Sequence, residues 1–248
     1  MKDIERIKRL GKETNIFYFK QFSVKDDRST MRVGTDAVLL GAAVDVKGAK
    51  SILEIGTGCG IIALALAQRS EALIDALEVD DESVIQAKQN VEASPWKGRI
   101  EIIHCPLQEF RPEGGRKYDL IVSNPPYFSG TFKSFKSKRN ISRHNERLTF
   151  DELIEKSDEL LNDAGSLWII LPVKESLEFI DKAQRSGFFL NYLLKIIPKT
   201  GKVYNRVIIQ LKRKEVPEIK IETLTHWNAN GSWAGEFKRF TGDFYIDF

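Results

Sequence analysis

Ser51-Ile52-Leu53-Glu54-Ile55-Gly56-Thr57-Gly58-Cys59-Gly60 decides how this chain is read. A short, nearly continuous apolar run is the mark of a strand buried on both faces. It feeds a loop with glycine at every second position, which lets the chain turn tightly and lets a ligand approach the main chain. The helix that fits next, over Gly60–Arg69, presents free N–H groups at its start. The spacing is Gly-x-Gly-x-Gly, not the Gly-x-Gly-x-x-Gly of dinucleotide-binding turns. Glu54 stands just before the loop, where a carboxylate repels a pyrophosphate and suits an ammonium group. Gly56, Gly58 and Gly60, with Glu54, are the first candidate binding residues.

Outward from this loop, apolar runs alternate with helical periods. Strands are expected at Ser51–Ile55, Leu73–Glu78, Ile100–His104, Leu120–Ser123, Ser166–Leu171, Tyr192–Ile197 and Arg206–Leu211. Helices fit Gly60–Arg69, Glu82–Ala93, Phe150–Leu161 and Lys174–Arg185. The alternation predicts an α/β, doubly wound, Rossmann-like fold: a seven-stranded, mostly parallel sheet with helices on both faces. Only Pro198-Lys199-Thr200-Gly201-Lys202 separates the last two strands, too little for a crossover helix, so the final strand is expected to be antiparallel. Upstream, Phe17–Phe19 and Phe22–Val24 read as short strands, and Thr35-Asp36 starts a helix over Ala37–Val44. Ile4, Ile7 and Leu10 in the polar opening segment have helical spacing. From Pro217 onward come Trp227, Trp233, Phe237, Phe240, Phe244, Tyr245 and Phe248, too many aromatics for an unpacked tail. One domain over 1–248 is expected, with 1–48 covering the site, 49–215 as the core and 216–248 as an aromatic extension.

Glu78 ends the second core strand about 20 residues past the glycines, where an acid grips ribose hydroxyls in nucleotide-binding α/β folds. Asp80 and Asp81 read better as helix caps. The third signal is Ser123-Asn124-Pro125-Pro126-Tyr127-Phe128, directly after the fourth core strand. Two prolines remove two N–H donors and leave carbonyl acceptors facing outward, and Asn124 adds a side-chain carbonyl. Two converging acceptors suit an amino group with two hydrogens, and Tyr127 offers a flat face for a planar substrate.

In order and spacing these motifs resemble the class I S-adenosylmethionine-dependent methyltransferases with an Asn-Pro-Pro-Tyr catalytic loop. The likeness is closer still to the bacterial tRNA(Val) adenine-N6-methyltransferase family. It rests on Phe19-Lys20-Gln21-Phe22, Arg32-Val33-Gly34-Thr35-Asp36-Ala37, the glycine loop, Ala87-Lys88-Gln89-Asn90, Asn124-Pro125-Pro126-Tyr127, Arg143-His144 and Phe244-Tyr245. The resemblance implies S-adenosylmethionine as cofactor, with Arg32, Gly34, Thr35 and Asp36 as further contacts to it. It also implies methylation of N6 of the adenine 3′ of the anticodon, with Asn124, Pro125, Pro126 and Tyr127 as catalytic residues and Asn124 also beside the cofactor. The pattern is broken once. Where such enzymes carry an Asp for the cofactor adenine, this chain reads His104-Cys105-Pro106-Leu107-Gln108, which passes the contact to the Leu107 backbone or to Gln108.

Lys133, Lys136, Lys138, Arg139, Arg143 and Arg147, interleaved with Phe132 and Phe135, follow the catalytic loop and are expected to hold RNA phosphates and splayed bases. The net charge of +3 implies nucleic-acid binding only through this distribution. Cys59 and Cys105 beside core strands suggest a reducing compartment, hence the cytoplasm. The scattered His104, His144 and His226 suggest no metal site, no apolar run suffices for a membrane span, and nothing calls for an obligate protein partner. Two other readings share the loop: methylation of a glutamine amide in peptide release factors, and of adenine N6 in ribosomal RNA or DNA. The former enzymes generally carry an N-terminal helical domain, for which about 50 residues leave little room, and DNA enzymes often carry a separate recognition domain.

Overall fold

The computed structural model describes residues 16–126 and 148–247. A short antiparallel pair, β1 (Ile16–Tyr18) and β2 (Ser23–Lys25), precedes α1 (Thr35–Ala43). Then follow β3 (Ser51–Ile55), α2 (Ile61–Arg69), β4 (Leu73–Glu78), α3 (Asp81–Glu92), β5 (Ile100–His104) and β6 (Tyr118–Ser123). The second half holds α4 (Phe150–Leu160), β7 (Leu161–Pro172), α5 (Val173–Arg185), β8 (Phe189–Lys199), β9 (Arg206–Lys212), β10 (Lys220–Trp227) and α6 (Gly235–Thr241). The main sheet has the order β10-β8-β9-β7-β6-β3-β4-β5, and β9 alone runs against its neighbours.

Strand alternation explains the layers. Ile52, Ala76, Val122, Ile170 and Ile208 pack into one core with α1, α2, α3 and α6. Their neighbours Leu53, Leu77, Ile121, Ile169 and Ile209 pack into a second core with α4 and α5. Burial of both faces is why these strands read as continuous apolar runs rather than as alternating ones.

The seven expected strands are present, with β9 antiparallel as expected, and an eighth that was not expected joins them in parallel. β10 extends the edge beside β8, pairing Lys220 with Tyr192 and Trp227 with Lys199. Only Leu224 of β10 is buried, because an edge strand has one neighbour and much of its surface meets water. A polar strand of that kind lacks the apolar run by which the other strands were read. The aromatic extension packs back as expected: the Trp227 and Trp233 rings stack at 3.8 Å, Trp233 and Phe237 at 4.9 Å, and Phe237 and Phe244 are buried. It also clasps the N-terminal hairpin, for the Lys20 N–H donates to the Phe244 carbonyl at 2.8 Å and Phe19 bridges Tyr245.

Helices α1 and α2 approach closely at Gly41, where an added Cβ would lie 2.7 Å from the Ala65 Cβ. Arg69 fixes the end of α1 by donating to the carbonyls of Gly41 at 2.7 Å and Val44 at 2.8 Å. Gly41→Ala should therefore force the helices apart and cost about 1–3 kcal/mol, read as a lower urea midpoint with unchanged m-value. An unchanged midpoint would mean that the contact yields freely.

Candidate active site

Strand order reverses between β3 and β6, since β4 and β5 lie to one side of β3 and β6 and β7 to the other. Ligands of open α/β sheets bind outside the carboxyl ends of strands at such a switch point. Both motifs sit there. Ile55 pairs with Ser123, and the Ser123 hydroxyl donates to the Ile55 carbonyl at 3.0 Å. The residue that opens the glycine loop is thus locked to the residue that precedes Asn124.

The glycine loop continues the ladder with β4: the N–H groups of Gly56 and Thr57 donate to the Leu77 carbonyl at 3.0 and 2.9 Å. Gly56 and Gly58 then take φ of 75° and 57°, a left-handed backbone that side chains disfavour. A Cβ on Gly56 would meet nothing within 4 Å, so the main chain there faces open space. Gly60 has another role, capping α2 with its α-carbon against Ala87 of α3.

Glu54 is fully buried, and its Oε2 accepts from the Thr57 hydroxyl at 2.7 Å. Its Oε1 is buried with no hydrogen-bond partner among the described residues. Loss of water pushes the Glu54 carboxyl up to about 8; the Thr57 hydroxyl and the Ala63 N–H pull the other way, and the charge of Glu78 adds to the rise. A buried, half-satisfied carboxyl of this kind is costly unless a cation or donor completes it.

Glu78, expected on ribose hydroxyls, makes three bonds within the protein. Its Oε2 accepts from Gly58 N–H at 2.8 Å, and its Oε1 accepts from Val79 at 2.8 Å and Asp80 at 3.0 Å. It braces the glycine loop, and a carboxylate with about four acceptor positions keeps limited capacity for a ligand. Asp80 is the cap of α3, accepting from Ser83 N–H at 2.9 Å.

Residues 25–34 lie over the loop. Asn90 of α3 ties them down: its amide donates to the carbonyls of Lys25 and Cys59, each at 2.8 Å, and accepts from Lys25 N–H at 2.9 Å. One side chain thereby joins the covering segment to the glycine loop. Sequence reasoning did not assign Asn90 this work; the signal was a carboxamide on the buried stripe of an amphipathic helix. Ser29 reaches the same loop, its Oγ lying 3.5 Å from where a Gly58 Cβ would be. Of the four residues expected to touch the cofactor here, Gly34 caps α1, Arg32 is exposed and Thr35 is half-buried. Asp36 is half-buried and pairs with Arg206 of β9 at 3.2 Å.

Beyond β5, Pro106–Phe110 form a turn in which Phe110 N–H donates to the carbonyls of Pro106 and Leu107 at 3.1 and 3.2 Å. Leu107 buries its side chain in the second core, and the Gln108 amide donates to Glu152 of α4 at 3.2 Å. Of the two substitutes for the missing acid, Gln108 is already engaged. Asn124 is half-buried, yet its Oδ1 is wholly buried and without a partner among the described residues; Pro125 is buried and Pro126 exposed. Tyr127 and the basic residues Lys133, Lys136, Lys138, Arg139 and Arg143 lie outside the described residues. Among the described residues no cluster of His, Cys, Asp or Glu is arranged to hold a metal ion, and no helix is long and apolar enough to cross a membrane.

The fold is that of class I methyltransferases. A solved structure of a predicted O-methyltransferase from Agrobacterium tumefaciens superposes with a TM-score of 0.62 at 18% identity, covering 84% of this chain and 96% of its own. The family model for the methyltransferase small domain matches residues 29–180. The tRNA1(Val) (adenine(37)-N6)-methyltransferase of Trichodesmium erythraeum is 41% identical over 94% of this chain and 99% of its own length. That of Proteus mirabilis is 36% identical over 98% of each. This chain belongs to the tRNA1(Val) (adenine(37)-N6)-methyltransferase family.

The site fits the S-adenosylmethionine of class I methyltransferases. Its methionine end brings an ammonium, which the orphaned Glu54 Oε1 lacks, and the open face at Gly56 leaves room for it. Between the ordinary carboxyl value of 4.5 and about 8, folded Glu54 holds a proton that the unfolded chain has released. The unliganded protein therefore loses stability from this group as pH rises through that window. Glu54→Gln should remove that loss, raising the melting temperature of the unliganded protein more at pH 8 than at pH 5.5. It should also weaken S-adenosylmethionine binding by about 1.5–3 kcal/mol in calorimetry. Equal shifts at both pH values would show that Glu54 ionises normally.

Proposed function

We propose that this chain transfers a methyl group from S-adenosylmethionine to N6 of the adenine at position 37 of tRNA1(Val), the activity that its relatives are named for. One observation supports the chemistry: Asn124 Oδ1 is a buried acceptor without a donor among the described residues, at the strand end locked to the glycine loop. An adenine amino group brings two N–H donors. Asn124 Oδ1 accepts one, and the Pro125 carbonyl, in a stretch stripped of competing N–H groups, accepts the other. Held by both hydrogens, the nitrogen presents its lone pair out of the ring plane toward the glycine loop.

The bound cofactor supplies an activated methyl group, so positioning and not a strong base is what the protein must provide. Glu54 anchors the amino-acid end of the cofactor, Glu78 keeps the glycine loop rigid and offers remaining acceptor capacity to the ribose, and the Leu107 backbone meets the adenine. Tyr127, next after Pro126, stacks on the substrate base. That base leaves the anticodon-loop stack to reach the site, as in other base-modifying enzymes. The proton released from nitrogen goes to water.

The test is methyl transfer from labelled S-adenosylmethionine to unmodified tRNA transcripts, with nucleosides identified by mass spectrometry and a release-factor protein as parallel acceptor. N6-methyladenosine confined to position 37 of the valine tRNA is expected. Asn124→Ala should lower kcat by about a hundredfold or more with cofactor affinity little changed. Label on a protein glutamine with RNA untouched would overturn the substrate, and full activity in the Asn124 variant would overturn the mechanism.

A further inference from the structure

The hairpin joining β8 to β9 stands on the same rim as the active site. Arg206 at its base faces Pro172 of β7, three residues past Ile169, which pairs with Ser123. At about 3.3 Å per residue and about 4.8 Å per strand, the base of the hairpin lies roughly 10 Å beyond the end of β6 and roughly 10 Å to its side. From Lys195 to Arg206 the chain reads Lys-Ile-Ile-Pro-Lys-Thr-Gly-Lys-Val-Tyr-Asn-Arg, with four basic residues and no acidic one.

The tip is both exposed and held. Every residue from Lys199 to Asn205 is exposed, Val203 at 83%, a value no other large apolar side chain among the described residues reaches. Hydrogen bonds fix its backbone: Thr200 N–H donates to Trp227 at 2.8 Å, Lys202 to Lys199 at 2.9 Å, and Asn205 to Ile196 at 3.1 Å. Arg206 is committed to Asp36. Lys199 and Lys202 have no ion-pair partner among the described residues, and Tyr204 shows one ring face to the Lys195 ammonium at 5.3 Å.

We propose that this hairpin is a tRNA-binding element, in which Lys199 and Lys202 meet backbone phosphates flanking the target adenine and Tyr204 stacks on a neighbouring base or ribose. Unpaired lysines on a rigid support neutralise phosphates without first breaking internal bonds, and an aromatic ring backed by a cation is a stacking platform for single-stranded RNA. The inference rests on RNA being the substrate. The family motifs do not reach this element, which lies far from the glycine loop in sequence and comes to the site only through the antiparallel return of β9.

The test compares the full-length wild type with K199Q/K202Q, Tyr204→Ala and Tyr204→Phe. Binding of unmodified tRNA is followed by fluorescence anisotropy over a salt series, alongside methyl-transfer kinetics and S-adenosylmethionine affinity. The double lysine variant should bind tRNA about tenfold or more weakly, and its log K against log salt should be shallower by about 1.5–2. Tyr204→Ala should lose roughly tenfold, and Tyr204→Phe should retain binding. Both effects should appear in KM for tRNA, with kcat at saturation and cofactor affinity unchanged. If wild type binds and methylates tRNA while the variants match it in affinity and salt slope, the hairpin proposal fails and the enzymatic reading stands. If wild type neither binds nor methylates tRNA, the enzymatic reading fails and the proposal with it.

Discussion

The structure depends on the pairing of β3 with β6. These strands share the centre of the sheet, end at the same level, and are tied at that end by the Ser123 hydroxyl on the Ile55 carbonyl. Beyond each strand the chain continues through a special backbone: glycines after one, two prolines after the other. A one-residue slip in this register would move Asn124 by about 3.3 Å relative to the glycine loop. The two apolar cores, one on each face of the sheet, hold that register.

Around this pair the protein keeps two buried oxygens unsatisfied. Glu54 Oε1 and Asn124 Oδ1 lie at neighbouring strand ends, and neither makes a close hydrogen bond among the described residues. Such atoms cost stability unless a ligand or ordered water completes them. One is a carboxyl held up by burial, the other a neutral carboxamide, so the first suits a cation and the second a neutral amino group. In the proposed reaction the first would meet the methyl donor and the second the methyl acceptor. Glu78 shows the complementary case, a buried carboxylate whose bonds within the protein stiffen the glycine loop.

Most of the core was legible because both-face burial and helical periods leave strong patterns. The strands Ser51–Ile55, Leu73–Glu78 and Ile100–His104 have the limits their apolar runs suggest. The glycine loop and Asn124 were legible because glycine and proline are chosen for backbone reasons that do not depend on distant neighbours. β10 was not legible: one buried residue in an edge strand leaves no period to read. The partner of Asp36 was not legible either, since Arg206 lies 170 residues away and only the return of β9 brings it near.

By itself the sequence determined the local chemistry: which turns need glycine, where donors are stripped from the backbone, which residues are acids, and the alternation that makes a doubly wound sheet. Tertiary structure decided how those acids are used. It buried Glu54 and left one oxygen open, turned Glu78 onto backbone N–H groups, gave Gln108 to Glu152, and set Asn90 between the covering segment and the glycine loop. The physical reason is that a side chain's identity fixes what it can bond, whereas desolvation and the competing partners within reach, which fix what it does bond, exist only once distant segments have packed together.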